Sequence, residues 1–204
     1  MELQWQHVVL GVITYSAFIS ACDKAKKSEQ ALGLFKAMQQ QGVVPNVITC
    51  NALISACARG ERPKQALKIF AEIRQRGVVP TGITYSALIS ACEKGARSEQ
   101  ALEIFAEIRS QQVVPSVITY SAFISACEKD KMTEQALEIM QEMTQQGLVP
   151  NVITYNAFIS ACEKVAQRKQ ALNICAEMQR PGLVPNVITY NAFTNACEMD
   201  KKSE

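Results

Sequence analysis

Residues 82–116 read GITYSALISACEKGARSEQALEIFAEIRSQQVVPS, and this stretch recurs with small changes along the whole chain. The next 35 residues repeat it as VITYSAFISACEKDKMTEQALEIMQEMTQQGLVPN. A fixed period of this length is typical of solenoids, in which each repeat buries its apolar face only against its neighbours. We therefore predict a single array whose full repeats are 12–46, 47–81, 82–116, 117–151 and 152–186.

Within one repeat the apolar residues fall at helical spacing. A first helix has an apolar face at i, i+3, i+4 and i+7, formed by Tyr85, Leu88, Ile89 and Cys92. A second helix has a similar face, formed by Ala101, Leu102, Phe105 and Ile108. The prediction is an all-α solenoid in which each repeat is two antiparallel helices of about a dozen residues.

The polar residues and breakers of the same repeat predict where these helices begin and end. Thr84 is expected to cap the first helix, and Gly95 to end it. Ser98 is expected to cap the second helix, where the negative charge of Glu99 favours the positive end of the helix dipole. Pro115 stops the repeat and sets the entry to the next one.

Composition excludes several classes of protein. The chain is 48% hydrophobic and 20% charged, so it can fold, and its net charge of +2 favours no class of partner. No apolar run reaches the 18 residues of a membrane span, and the first six residues lack the features of a signal peptide. Residues 1–11 are interpreted as the tail of a preceding repeat and 187–204 as a partial repeat, which predicts an excerpt of a longer array.

Six of the eight cysteines fall one repeat apart. Neighbouring repeats in a helical array lie roughly 10 Å apart, beyond disulfide reach, so we expect reduced, structural thiols. There is no Cys-x-x-Cys or Cys/His cluster, and we expect neither a metal nor a cofactor. His7, the sole histidine, has no Cys or Ser partner in motif spacing, so no catalytic residue is predicted and the excerpt is not expected to be an enzyme.

The first helix also carries a polar stripe on the side away from its apolar face. In the third repeat this stripe is Ser86, Ser90, Glu93 and Lys94. A solvated helix face would account for one such stripe. It does not account for a first position that holds only Ser or Asn in every copy, followed by a cation at the end of the helix in five of them.

The repeat resembles the pentatricopeptide repeat over essentially the whole chain. The period of 35, the Val-Ile-Thr-Tyr-(Asn/Ser)-Ala-(Leu/Phe)-Ile opening, the Gln-Ala-Leu centre and the Gly-Val-Val-Pro-Asn close all fit that family. The tetratricopeptide repeat has a period of 34 and a tryptophan signature that is absent here. The resemblance implies a right-handed superhelix and sequence-specific binding of single-stranded RNA, with one base per repeat.

The resemblance also implies roles for three columns of residues. Base-reading pairs are expected at Ser16 with Asn46, Asn51 with Thr81, Ser86 with Ser116, Ser121 with Asn151, and Asn156 with Asn186, while Asn191 begins a sixth pair. Packing against base faces is expected of Ile13, Ile48, Ile83, Ile118, Ile153 and Ile188. Phosphate contacts are expected of Lys24, Arg59, Lys94, Lys129 and Lys164, whereas the sixth copy has Met199.

By analogy with the family, these pairs read 5′-A-(C/U)-A-A-C-3′. Serine leaves space for a purine, and an asparagine after the proline can serve the acceptor ring nitrogen of adenine or cytosine. The resemblance further implies a mitochondrial or plastid location, no small-molecule substrate, and room for protein processing factors as partners. The alternative is a helical scaffold that binds an extended peptide and ignores RNA.

Overall fold

The chain folds into paired helices throughout the part that can be described. The computed structural model describes residues 10–164, 168–179, 183 and 185–198, which contain eleven helices and no strand. The all-α fold class is confirmed. The helices are α1 (Val12–Lys24), α2 (Ser28–Gln40), α3 (Val47–Arg59), α4 (Pro63–Gln75), α5 (Gly82–Lys94), α6 (Ser98–Ser110), α7 (Val117–Lys129), α8 (Thr133–Gln145), α9 (Val152–Lys164), α10 (Arg168–Gln179) and α11 (Val187–Glu198).

Odd-numbered helices are the first helices of the repeats, and even-numbered helices are the second helices. The chain divides into two compact units, Met1–Ala91 and Cys92–Glu204. In the first unit, α3 packs against α1 and α2 of the preceding hairpin and against its own partner α4. In the second unit, α9 packs in the same way against α7, α8 and α10, and also against α11. Helical hairpins stacked on their sequence neighbours are the architecture that the 35-residue period predicts.

The predicted apolar faces form the core. Tyr85 is 1% exposed, and Leu88, Ile89 and Cys92 are fully buried. On the second helix, Ala101, Phe105 and Ile108 are buried, whereas Leu102 is half-buried. Each buried side chain of this size contributes about 1.5–3 kcal/mol relative to an exposed one. The Phe105 ring also lies 4.9 Å from the ring of Phe123 and 5.5 Å from that of Tyr120, measured between centroids.

The residue that follows the proline caps four of the described first helices, α3, α7, α9 and α11, and the prediction that Thr84 caps α5 is wrong. Asn46 has an extended backbone (ψ 177°), and its side chain accepts a hydrogen bond from the backbone N–H of Thr49. A cap must precede the first helical residue, and Thr84 already lies inside α5. Its hydroxyl accepts from the backbone N–H of Thr81 at 3.0 Å, which is the reciprocal half of a capping box.

The prediction that Ser98 caps the second helix is also wrong. The cap position belongs to Arg97, which makes no side-chain capping bond, and Ser98 is the first residue of α6. Its hydroxyl and its backbone N–H both donate to Asp130, at the C-terminal end of α7. The start of this second helix is therefore satisfied by the next repeat along the chain, a partner that the pattern of one repeat does not reveal.

α5 ends at Lys94, directly before Gly95, as the sequence predicted. The left-handed conformation falls one position later, on Ala96, with φ 48°. The corresponding residues Lys26, Glu61 and Lys131 have φ between 54° and 60°. After the second helices the same conformation falls on Gly42, Gly77, Gln112 and Gly147. Only three of these eight turns use glycine, which avoids the steric cost at positive φ.

Polar contacts also tie neighbouring hairpins within each compact unit. In the first unit, Arg62 pairs with Glu29. In the second, Glu142 pairs with Arg109 and accepts a hydrogen bond from the Tyr120 hydroxyl at 3.0 Å. In the described part of the chain, none of the helices combines the length and the apolar character that a bilayer crossing needs.

Candidate nucleic-acid interface

The first predicted base-reading pair, Ser16 and Asn46, meets at Thr49. The Ser16 Oγ lies 2.6 Å from the Thr49 Oγ1 and 3.5 Å from the Asn46 Oδ1. The Asn46 Oδ1 accepts from both the backbone N–H and the hydroxyl of Thr49, each at 2.9 Å. Two residues 30 positions apart are thus held in one cluster by a threonine that belongs to the following repeat.

The second pair, Asn51 and Thr81, is joined in the same way by Thr84. The Thr84 hydroxyl donates to the Asn51 Oδ1 at 2.5 Å. It also lies 3.2 Å from the Thr81 Oγ1. The structure therefore brings together both pairs that lie in the first compact unit.

The second compact unit contains two further pairs with this arrangement. For Ser121 and Asn151, the Thr154 Oγ1 lies 2.7 Å from the Ser121 Oγ and donates to the Asn151 Oδ1 at 3.1 Å. Asn156 donates from Nδ2 to the Asn186 Oδ1 at 3.4 Å. The hydroxyl oxygen of Thr189 lies 2.6 Å from the Asn156 Oδ1 and 3.1 Å from the Asn186 Oδ1, and its single hydrogen can be donated to one of them at a time.

The three remaining predicted base-reading residues are Ser86, Ser116 and Asn191. Ser86 lies in the first compact unit, where its hydroxyl donates to the carbonyl of Gly82 at 2.8 Å. Ser116 lies in the second unit, where it caps α7. Asn191 is exposed on α11.

The threonine that joins these four pairs is the feature that the sequence-based prediction missed. It occupies the third position of every copy, at Thr14, Thr49, Thr84, Thr119, Thr154 and Thr189. From the second copy onward it is at most 2% exposed. A buried hydroxyl must find hydrogen-bond partners. A threonine at the same position of every repeat, two residues before the Ser/Asn position, could therefore have indicated that it binds the base-reading residues.

The predicted base-packing isoleucines form an exposed aliphatic column. Their side chains stand outside the core, immediately before the buried threonines, and a single exposed isoleucine needs no explanation. Six exposed isoleucines at the same position of successive repeats, three in each compact unit, are a recurrent feature that chance exposure does not explain. The exposed fractions are 81% for Ile13, 60% for Ile48, 69% for Ile83, 67% for Ile118, 65% for Ile153 and 63% for Ile188.

Two of the predicted phosphate-binding residues already have acidic partners. Arg59 lies 3.3 Å from Asp23, measured from Nε to Oδ1. Lys129 lies 3.4 Å from the carboxylate of Glu93, and its ammonium also donates to the backbone carbonyl of that residue. In both cases the acid belongs to the preceding repeat. The pair of Lys129 and Glu93 is partly exposed and therefore weak, so Lys129 can still take another anion, whereas the acid that holds Arg59 is buried.

Of the other predicted phosphate-binding residues, two are exposed and one has a side chain outside the described residues. Lys24 and Lys94 are exposed at the ends of α1 and α5. The side chain of Lys164 and all of Met199 lie outside the described residues. Among the acids, Glu93 contacts Lys129 of the following repeat, and Glu128 accepts a hydrogen bond from the Ser160 hydroxyl at 2.9 Å.

The cysteine column lies in the core. Cys57, Cys92, Cys127 and Cys162 are buried, and the first three are free thiols. Burial raises the pKa of Cys57 and of Cys92 to about 11. Within the described residues, no group of three or more His, Cys, Asp and Glu side chains is placed to hold a metal ion.

Comparison with known proteins decides the family. A family model described as the pentatricopeptide repeat domain matches residues 1–60, 33–95, 94–130 and 131–199. The chain belongs to the pentatricopeptide repeat family. No curated protein sequence matches it.

Solved structures of the pentatricopeptide repeat family are similar to this chain. The pentatricopeptide repeat protein PPR10 from maize is 27% identical, with a TM-score of 0.67 over 98% of this chain and 29% of the maize chain. The same protein in complex with an 18-nt psaJ RNA element is 28% identical, with a TM-score of 0.66 over 92% of this chain and 31% of that one. The chain thus spans about three tenths of the length of this relative.

A more distant neighbour has the same fold. The pentatricopeptide repeat domain of Arabidopsis thaliana protein-only RNase P 1, solved in complex with tRNA, gives a TM-score of 0.80 at 14% identity. The match covers 92% of this chain and 98% of that domain. At this identity the likeness concerns the arrangement of helices alone.

Proposed function

We propose that the chain binds single-stranded RNA through its first helices, with one base for each repeat. The observation that carries the proposal is the pairing of an exposed isoleucine with a hydrogen-bonded Ser/Asn cluster at the same place in successive repeats. An aliphatic surface suits the face of an unstacked base, and the polar cluster suits its Watson–Crick edge. The family, and the RNA complex of the maize relative, support this choice of ligand.

The proposed repeats are 12–46, 47–81, 82–116, 117–151 and 152–186, and the proposed target is 5′-A-(C/U)-A-A-C-3′. Under this proposal the five pairs read one letter each, and the cations at the ends of the first helices contact phosphates. The chain acts by occupying a transcript, with no catalysis of its own and with protein processing factors recruited to the bound RNA. We propose a mitochondrial or plastid location on family resemblance.

Fluorescence anisotropy with a labelled single-stranded RNA that contains ACAAC tests the proposal. We expect binding that weakens with salt and is at least tenfold tighter than to a scrambled strand of equal length. Ile48→Ala and Ile153→Ala should each weaken binding severalfold without loss of helical signal, because both side chains are exposed. Equal binding of all strands, or capture of an extended peptide with indifference to RNA, would contradict the proposal.

A further inference from the structure

We infer that the buried threonine at the third position of each repeat is a positioning residue, which sets the hydrogen-bonding character that the preceding pair shows to a base. The inference rests on the proposed function, since it concerns how the same side chains discriminate between bases. It is carried by the hydrogen bonds of Thr49, Thr154 and Thr189, each of which contacts both members of a pair.

The orientation of the asparagine after the proline follows from a backbone donor. The backbone N–H of the threonine donates to the Oδ1 of Asn46 at 2.9 Å, and to those of Asn151 and Asn186 at 3.0 Å. A backbone N–H can only donate, so the amide oxygen must face the helix. In the two clusters that contain a serine, the threonine hydroxyl also lies within hydrogen-bond distance of that oxygen, at 2.9 and 3.1 Å. The Nδ2 group is therefore directed away from the helix, where it can donate to a base.

A serine in the first helix shows the opposite character. The Ser16 hydroxyl donates to the carbonyl of Val12 at 2.7 Å, and it also contacts the Thr49 hydroxyl at 2.6 Å and the Asn46 Oδ1 at 3.5 Å. Ser121 shares the first two kinds of partner. A serine has one hydroxyl hydrogen, and any of these partners keeps it inside the protein. What remains for a ligand is a lone pair of the oxygen, which is an acceptor.

An asparagine in the first helix presents a donor to a ligand, where a serine presents an acceptor, because the threonine hydroxyl binds the amide oxygen. The hydroxyl of Thr189 donates to the Asn156 Oδ1 at 2.6 Å, and the hydroxyl of Thr84 does the same for Asn51 at 2.5 Å. The oxygen is occupied, so the amide shows N–H groups to a ligand. One of the two hydrogens on Asn156 Nδ2 is directed to Asn186, and the other is left for a base.

The two kinds of pair therefore present different patterns. A serine with an asparagine offers an acceptor and a donor, which complements the N6 amino group and the N1 atom of adenine. An asparagine with an asparagine offers two donors, which complements the N3 and O2 atoms of cytosine. Uracil carries N3–H at that place and would set a donor against a donor. The Thr189 hydroxyl stabilises the second pattern, because it donates to the Asn156 oxygen and so holds that oxygen toward the protein.

Replacement of this hydroxyl at two positions tests the inference. Thr189→Val removes the hydroxyl with little change of shape, and Thr154→Val is the matched control at a serine-containing pair. Each variant and the unaltered chain are titrated with ACAAC and ACAAU strands by anisotropy, after circular dichroism has shown that the helices are retained. For the unaltered chain we expect cytosine to be preferred over uracil about tenfold at the fifth letter.

The preference should fall to twofold or less in Thr189→Val, because the freed amide of Asn156 can turn and accept from uracil. Thr189→Ser should restore it, and Thr154→Val should leave it unchanged. Should Thr189→Val fail to fold, Thr189→Ala repeats the measurement with a smaller side chain. A preserved preference in a folded variant without the hydroxyl would overturn the inference alone, whereas an unaltered chain that binds the two strands equally would count against the proposed function.

Discussion

Three glycine-to-alanine substitutions should change the free energy of unfolding in different directions, although the chemical change is identical. Gly60 ends α3 beside a neighbouring hairpin, Gly33 lies in the middle of α2, and Gly42 turns the chain after α2. The structure gives each position a different environment for the added methyl group. The three variants therefore separate steric clash, helix propensity and backbone strain.

Gly60→Ala should destabilise the protein by about 1–3 kcal/mol, the usual cost of overpacking. A Cβ at this position would clash with the Ser28 Oγ, lie 2.7 Å from the Ser28 Cβ, and lie 3.3 Å from the carbonyl oxygen of Ala56. Rotation of the serine can move its hydroxyl but not its Cβ, so the backbones of two hairpins must separate. Ser28 is buried, which leaves little room for that movement.

Gly33→Ala should instead stabilise the protein by about 0.5–1 kcal/mol. Nothing lies within 4 Å of the added Cβ, and the residue is exposed inside a helix, where alanine loses less conformational entropy than glycine. Gly42→Ala also meets open space, but its φ of 71° belongs to the left-handed region. That variant should cost about 1–2 kcal/mol through backbone strain alone.

Urea unfolding followed by circular dichroism at 222 nm measures these effects. With an m-value of about 2 kcal/mol/M, each 1 kcal/mol moves the midpoint by about 0.5 M. The expected order of midpoints is Gly33→Ala above the unaltered chain, with Gly42→Ala and Gly60→Ala below it. A Gly60→Ala midpoint equal to or above that of the unaltered chain would refute the reasoning, because it would mean that the hairpins are not packed at this distance.

Three further outcomes are expected. Glu93→Gln should tighten RNA binding about two- to fivefold at low salt, because Lys129 then has no competing carboxylate; an unchanged affinity would argue against a phosphate contact at this lysine. Tyr120→Phe should lower the free energy of unfolding by about 1–2 kcal/mol, measured in urea, because a buried hydroxyl then no longer donates to Glu142. Cys57 should resist iodoacetamide at pH 8 until the chain unfolds, since burial keeps the thiol protonated with a pKa of about 11; rapid labelling of the folded protein, followed by mass spectrometry, would contradict this.

The period and the apolar spacing of one repeat were sufficient to predict the fold. Tyr85, Leu88 and Phe105 are buried where the helical pattern placed them, because a helix that lies between neighbours must bury the stripe that repeats at 3.6 residues. Register inside a hairpin is set by residues close in sequence, and the sequence shows it directly.

Bonds that cross from one repeat to the next could not be predicted from one repeat. Ser98 was expected to cap its own helix, but its partner Asp130 lies 32 residues away. The threonine at the third position of each repeat was visible in the sequence. Which side chain accepts the hydrogen bond from its hydroxyl, however, depends on how the hairpins stack. Asn46 shows the same limit, because the sequence indicated the amide but not which of its two atoms faces outward.

The bonds between hairpins also bear on how such a chain can change in length. The named examples join partners 32 to 36 positions apart, as in Ser98 with Asp130, Arg109 with Glu142, and Lys129 with Glu93. A duplication or deletion of 35 residues in the gene therefore reconnects equivalent partners, while any other step leaves donors opposite the wrong acceptors. Unequal recombination between the near-identical copies would be tolerated only in whole steps, and on the proposed function each step would add or remove one letter of the recognised message.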